Sequence, residues 1–190
     1  MMRNWKKAVL AGAAVLVVLA AAAVLYSLQY AVDGAFTNLT EQTQQFLRHG
    51  QEAWAPYDIQ QYETVELGKR AFAAVEIDGQ LGLVRMTRGL NGKYQIDSVS
   101  RGGGIFRQEL VDIGEETYAI LVGRNRFFGI REMTFSLGQN TYRAEIPQED
   151  CFIAAVAVER PEAGEDWIDP STMRYYNEAG EDITDQIPKN

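Results

Sequence analysis

The chain has 190 residues, and after position 30 it carries all 26 acidic side chains but only 15 of the 18 basic ones, a formal charge of −11 for that part. Such a surface repels phosphate backbones, which excludes a nucleic-acid partner, and it gives no general attraction to anionic lipid. A single cysteine excludes an intramolecular disulfide framework, a single histidine leaves no conventional zinc ligand set, and about 160 residues suit one hydrophobic core.

At the N-terminus, Ala8 to Leu28 form an uncharged Ala/Val/Leu-rich run behind Arg3, Lys6 and Lys7. Twenty-one residues rise roughly 31 Å as a helix, which matches the hydrocarbon thickness of a bilayer. Trp5 lies at one end and Tyr26 and Tyr30 at the other, where amphipathic rings favour the headgroup level, and the basic residues sit only on the N-terminal side. The pattern predicts a cytoplasmic tail over 1–7, a transmembrane helix over 8–30 and everything beyond it outside the cell. Trp5, Ala8, Gly12, Leu16, Leu19, Leu25 and Tyr26 are its candidate membrane residues, with Ala8 and Gly12 as a small-residue contact. The alternative is secretion after cleavage of a signal peptide near Ala20 to Ala23 or Val32 to Gly34. The run, however, exceeds the apolar region of about 7–15 residues that such peptides carry.

Over 31–61 the chain predicts a juxtamembrane helix and a linker. Asp33 or Thr37 caps a helix reaching about Arg48, with Phe36, Leu39, Phe46 and Leu47 near helical spacing, and His49-Gly50 stops it. Gln51 to Gln61, with Trp54 and Pro56, reads as linker.

The remaining domain, 62–190, shows strand-like segments at intervals of ten or so residues. Nine are expected: Arg70 to Ile77, Leu81 to Thr87, Lys93 to Ser100, Ile105 to Asp112, Thr117 to Gly123, Gly129 to Leu137, Thr141 to Ile146, Cys151 to Glu159 and Met173 to Tyr176. Asp78-Gly79 favours a tight hairpin, because both turn residues need positive φ, and Asn91-Gly92 marks the next turn. Cys151 to Val158 is the least polar segment and is expected to lie centrally, with both faces covered, while irregular alternation at Ile130, Met133 and Phe135 suggests a bulge. Pro161 to Pro170 reads as an acidic surface loop carrying Trp167. The fold class is therefore mainly β, a β-sandwich-like domain, with an α+β arrangement in which the helix packs on a curved sheet as the alternative.

Chemistry is less legible. A Cys–His dyad would have to use Cys151 and His49, yet Cys151 opens an apolar strand and His49 already ends a helix. Glu145, Glu149, Asp150, Glu162, Glu165, Asp166, Asp169, Glu178, Glu181, Asp182 and Asp185 offer oxygen ligands without the alternating spacing of a calcium loop. Arg101-Gly102-Gly103-Gly104 precedes a strand instead of the helix that a phosphate cradle needs, so a turn is expected. No nucleophile elbow is present, and no catalytic residue, metal or cofactor is predicted. The one local oddity is Arg124-Asn125-Arg126-Phe127-Phe128, two arginines and two aromatics in a loop of an acidic domain. Arg124, Arg126, Phe127 and Phe128, with Trp167, are the candidate interface residues, since arginine and aromatic side chains anchor interfaces.

Three segments, Gly89-Leu90-Asn91-Gly92-Lys93-Tyr94-Gln95-Ile96, Tyr118-Ala119-Ile120-Leu121-Val122-Gly123-Arg124-Asn125 and Tyr175-Tyr176-Asn177-Glu178-Ala179-Gly180-Glu181-Asp182-Ile183-Thr184, resemble a pattern in exported or membrane-anchored β-rich proteins of Gram-positive bacteria. The resemblance implies a cell-surface β-domain and carries no catalytic residues. The expected function is a membrane-anchored binding module, an accessory protein engaging a protein or an envelope polymer. The alternative is an envelope glycan or peptidoglycan hydrolase using paired carboxylates.

Overall fold

The computed structural model describes residues 2–49, 55–102, 104–160 and 167–188, with side chains from residue 13 onward. The first element is α1, Met2–Gln29. Its described apolar side chains, Val15 to Leu19, Val24, Leu25 and Leu28, are all more than half exposed. Among the described residues no helix is long and apolar enough to cross a membrane. The membrane span expected over 8–30 therefore finds no support among the described residues, to which the side chains of Trp5, Ala8 and Gly12 do not belong.

Between α1 and α2, Leu39–Arg48, the chain turns around one carboxylate. Asp33 accepts the N–H groups of Ala35 (2.8 Å), Thr37 (3.1 Å) and Asn38 (3.1 Å) as well as the Thr37 hydroxyl. Asp33 thus organises the turn before the helix, and Asn38 takes the cap position without a side-chain cap bond. This clasp holds Phe36 at φ 58°, a conformation costly for a bulky residue, with its ring 5.0 Å from that of Tyr94. At the other end the His49 N–H bonds to the Phe46 carbonyl; Gly50, expected as the stop, lies outside the described residues, as do Gln51 to Trp54.

Ten strands follow in three antiparallel sheets among the described residues. The first sheet runs in order β1 (Ile59–Leu67), β2 (Arg70–Ile77), β3 (Gln80–Arg88), β4 (Tyr94–Arg101). The second is β5 (Phe106–Ile113), β6 (Glu116–Arg124) and β9 (Cys151–Val158). The third places β10 (Arg174–Tyr176), β7 (Glu132–Leu137) and β8 (Asn140–Glu145) side by side.

Alternation along each strand explains how these stack. On β2, Ala71, Ala73, Val75 and Ile77 join Val32, Phe36 and Leu39 in one buried cluster beneath α2. Phe72 and Ala74, pointing the other way, meet Ile120, Val122, Cys151 and Ile153 of the second sheet. That sheet's opposite residues, Ala119, Leu121 and Phe152, pack on Met133, Phe135, Leu137 and Ala144 of the third. The order of layers is helix, sheet, sheet, sheet. The helix does cover a sheet face, as the α+β alternative required, while a sandwich of sheets forms behind it.

Three expectations need correction. β1 begins at Ile59, inside the stretch read as linker, because a bulge between Gln61 and Thr64 breaks its alternation and lets Tyr62 and Val65 share a face. The irregular stretch around Ile130 is no bulge: β7 starts at Glu132 and pairs with β8 in unbroken register, and Ile130 belongs to the preceding loop. β9 is covered on both faces, yet it is an edge strand of its sheet, and β6 is the central one. The Asp78-Gly79 turn has the expected positive φ at both residues, 50° and 72°. Ile168, Ile183 and Ile187, in a region poor in regular structure, complete the core under the third sheet.

Candidate functional site

The site is built where the first two sheets end together. Facing inward from β2 after Phe72 and Ala74, Glu76 is the next residue of the same row, and it lies at the rim. β6 ends at Arg124, which pairs with Cys151 at the start of β9. Arg124 donates to the Glu76 carboxylate at 2.8 Å and to the Gly79 carbonyl of the β2–β3 turn. Its Nε is buried and has no hydrogen-bond partner among the described residues.

The following loop is rigid for a stated reason. Asn125 is buried, and its amide is fully used: Nδ2 donates to the carbonyls of Ile130 (2.9 Å) and Pro147 (3.3 Å), while Oδ1 accepts the Ile130 N–H (2.7 Å). The backbone N–H groups of Asn125 and Arg126 both reach the Asp150 carbonyl, and the Arg126 guanidinium holds the Asp150 carboxylate at 2.8 Å. On this clamp Phe127 is 84 % exposed, whereas Phe128 packs against the core of the second and third sheets. With Ile105, Cys151 and the two ion pairs, the two phenylalanines line a cleft of about 200 Å³. That is below the volume of small-molecule pockets, which begin near 300 Å³, and it suits one inserted side chain.

Cys151 is a buried thiol in this setting. Burial first and Glu76 second push it above the ordinary value, so it stays protonated near neutral pH. Tyr62 beside it donates to Glu76 at 3.2 Å, and burial raises its phenol as well. His49 ends α2, which lies across the first sheet from Cys151, so the structure separates the two residues of the hypothetical dyad. Both carboxylates of the cleft, Glu76 and Asp150, are engaged by guanidinium groups.

The structure therefore gathers Arg124, Arg126, Phe127 and Phe128 at one cleft and leaves Trp167, 62 % exposed, outside its lining. Glu76 escaped the sequence reading, while Asn125 entered it only as part of the loop and Asp150 only as an oxygen ligand. Asn125 had a signal, since asparagine after a strand marks a turn; Glu76 had none, because it meets Arg124 across 48 positions. Gly102, at φ 99°, opens the turn before β5 as expected. Among the described residues no three His, Cys, Asp or Glu side chains converge as a metal site would require. Comparison of the chain with protein-family models, with curated proteins and with solved structures finds no match.

Proposed function

We propose that this chain is a membrane-anchored interaction module, held at the outer face of a cell membrane by α1 and engaging a protein partner through the loop that carries Phe127. The observation that carries the reading is the display of Phe127: a large aromatic side chain, 84 % exposed, on a loop locked by the buried Asn125. A pre-ordered aromatic anchor loses little entropy on binding, and aromatic and arginine residues supply much of the energy at interfaces. Arg126 and Asp150 beside it form a polar rim in which each charge already has a partner. The apolar run Ala8 to Leu28, continuous with the helical backbone of α1, supports the anchor and the outward placement of the domain. Likeness of the three turn-rich segments to exported Gram-positive proteins points to the same location.

The test is photo-crosslinking in intact cells from the full-length chain carrying a benzophenone amino acid at position 127. A single saturable adduct, abolished by Arg126→Glu, is the expected result. Recovery of the monomer alone, with the protein present in the membrane fraction, overturns the partner.

A further inference from the structure

Leu90, in the turn between β3 and β4, is 96 % exposed, more than any other large apolar side chain among those described. This turn is not a free loop. The Leu90 N–H donates to Tyr26 Oη of α1 at 2.6 Å. Gly89 lies so close to the helix that a Cβ there would sit 2.6 Å from both Tyr26 Oη and Tyr30 Cδ1. The rings of Tyr26 and Tyr30 stack with centroids 4.6 Å apart. Gln29 donates to Gln95 at 2.9 Å, and Val32 and Tyr94 exchange backbone hydrogen bonds of 3.0 and 2.8 Å. The last turn of α1 and the β3–β4 turn are one body.

We propose that the β3–β4 turn is a second membrane contact, in which Leu90 enters the interfacial layer of the same bilayer that α1 crosses and so sets the tilt of the domain. This rests on the anchor reading above. Tyr26 precedes the end of α1 by three residues, about 4.5 Å along the axis, and lies between the exposed Leu25 and Leu28. Leu90, bonded to the Tyr26 hydroxyl, shares that level, where the apolar run gives way to headgroups and where a tyrosine ring is favoured. The flanking charges fit phospholipid. Arg88, whose guanidinium lies over the Tyr94 ring at 5.9 Å from its centroid, and Lys93 are both exposed, and neither forms an ion pair with a described residue, in a domain whose acids otherwise dominate. Cations bracketing an apolar side chain match a headgroup phosphate above an acyl chain. A protein partner would have to reach the turn at the height of the bilayer surface, where lipid is already present.

The experiment uses the full-length chain in vesicles of phosphatidylcholine and phosphatidylglycerol. An environment-sensitive fluorophore is placed at Leu19→Cys, Leu90→Cys or Phe127→Cys in turn, the native thiol at Cys151 being buried. The labels at 19 and 90 should lose emission to lipid-borne nitroxide and resist aqueous iodide, and the label at 127 should do the reverse. If the label at 90 yields to iodide and not to nitroxide while that at 19 stays lipid-quenched, the contact is disproved and the anchor survives. If the label at 19 itself yields to iodide, the anchor fails and the contact falls with it.

Discussion

Leu90 and Phe127 are both large apolar side chains left open on short, well-braced loops, yet they sit in opposite settings. Leu90 follows β3, whereas the Phe127 loop is tied through Arg124 to Gly79, in the turn just before β3. Nine residues of strand, roughly 30 Å, separate the two ends. At one end the charges beside the apolar group are cations without ion-pair partners among the described residues, and the brace is the helix α1. At the other the arginines are matched by Glu76 and Asp150, and the brace is a buried amide. Under the two proposals the same exposure serves two surfaces: cations without ion-pair partners beside an apolar tip for lipid, and ion-paired arginines around an aromatic for protein.

The comparison breaks most sharply at Asn125. Replacing it with Ala takes the Asn125 partner from the Ile130 N–H and the Pro147 carbonyl, while the Ile130 carbonyl keeps Gln148 Nε2; this should cost about 1–3 kcal/mol in urea unfolding and abolish crosslinking from position 127. At the other end, Gly89→Val should cost about 1–2 kcal/mol, because the atoms it displaces are tyrosine side chains that can swing away. Its signature is local: hydrogen exchange at the Leu90 amide should rise while Phe127 crosslinks as before. If both loops respond to both changes, they are not independent surfaces.

Smaller effects sharpen the helix side. The Thr43 hydroxyl is buried in α2 without a partner among the described residues, so Thr43→Val should gain about 1 kcal/mol by thermal or urea denaturation. Asp33 should impose an acid limit. Its hydrogen bonds, the Thr37 hydroxyl first, hold the carboxyl below the ordinary 3.8, so the folded state binds that proton less tightly than the unfolded chain. The resulting stability is present above pH 3.8 and is lost as pH falls through the lower folded value; Asp33→Asn should flatten that limb of the stability curve. Least of all, Leu90→Ser and Phe127→Ser should change stability by no more than about 0.5 kcal/mol, as display residues must, while each removes its own surface.

Strand positions were legible where one face is buried and the other is not, as on β4, where the buried Tyr94 and Ile96 alternate with Gln95 and Asp97. β1 was illegible because its bulge shifts the alternation midway. Among candidate interface residues, the Arg124 to Phe128 group was legible from composition alone. Trp167 was equally conspicuous in sequence, but no local pattern could tell that it would fall outside the cleft.

What the sequence by itself determined is the apolar run at Ala8 to Leu28, the β-rich character of the rest and the turns at Asp78-Gly79 and Asn91-Gly92, all of which depend on neighbours within a few residues. Only the tertiary structure decided that three sheets stack behind one helix, that Cys151 and His49 lie on opposite sides of the first sheet, and that Leu90 meets Tyr26 across 64 positions. The reason is range. Hydrophobic periodicity and turn chemistry are local properties of the chain, whereas which face meets which depends on the register and order of strands far apart in sequence.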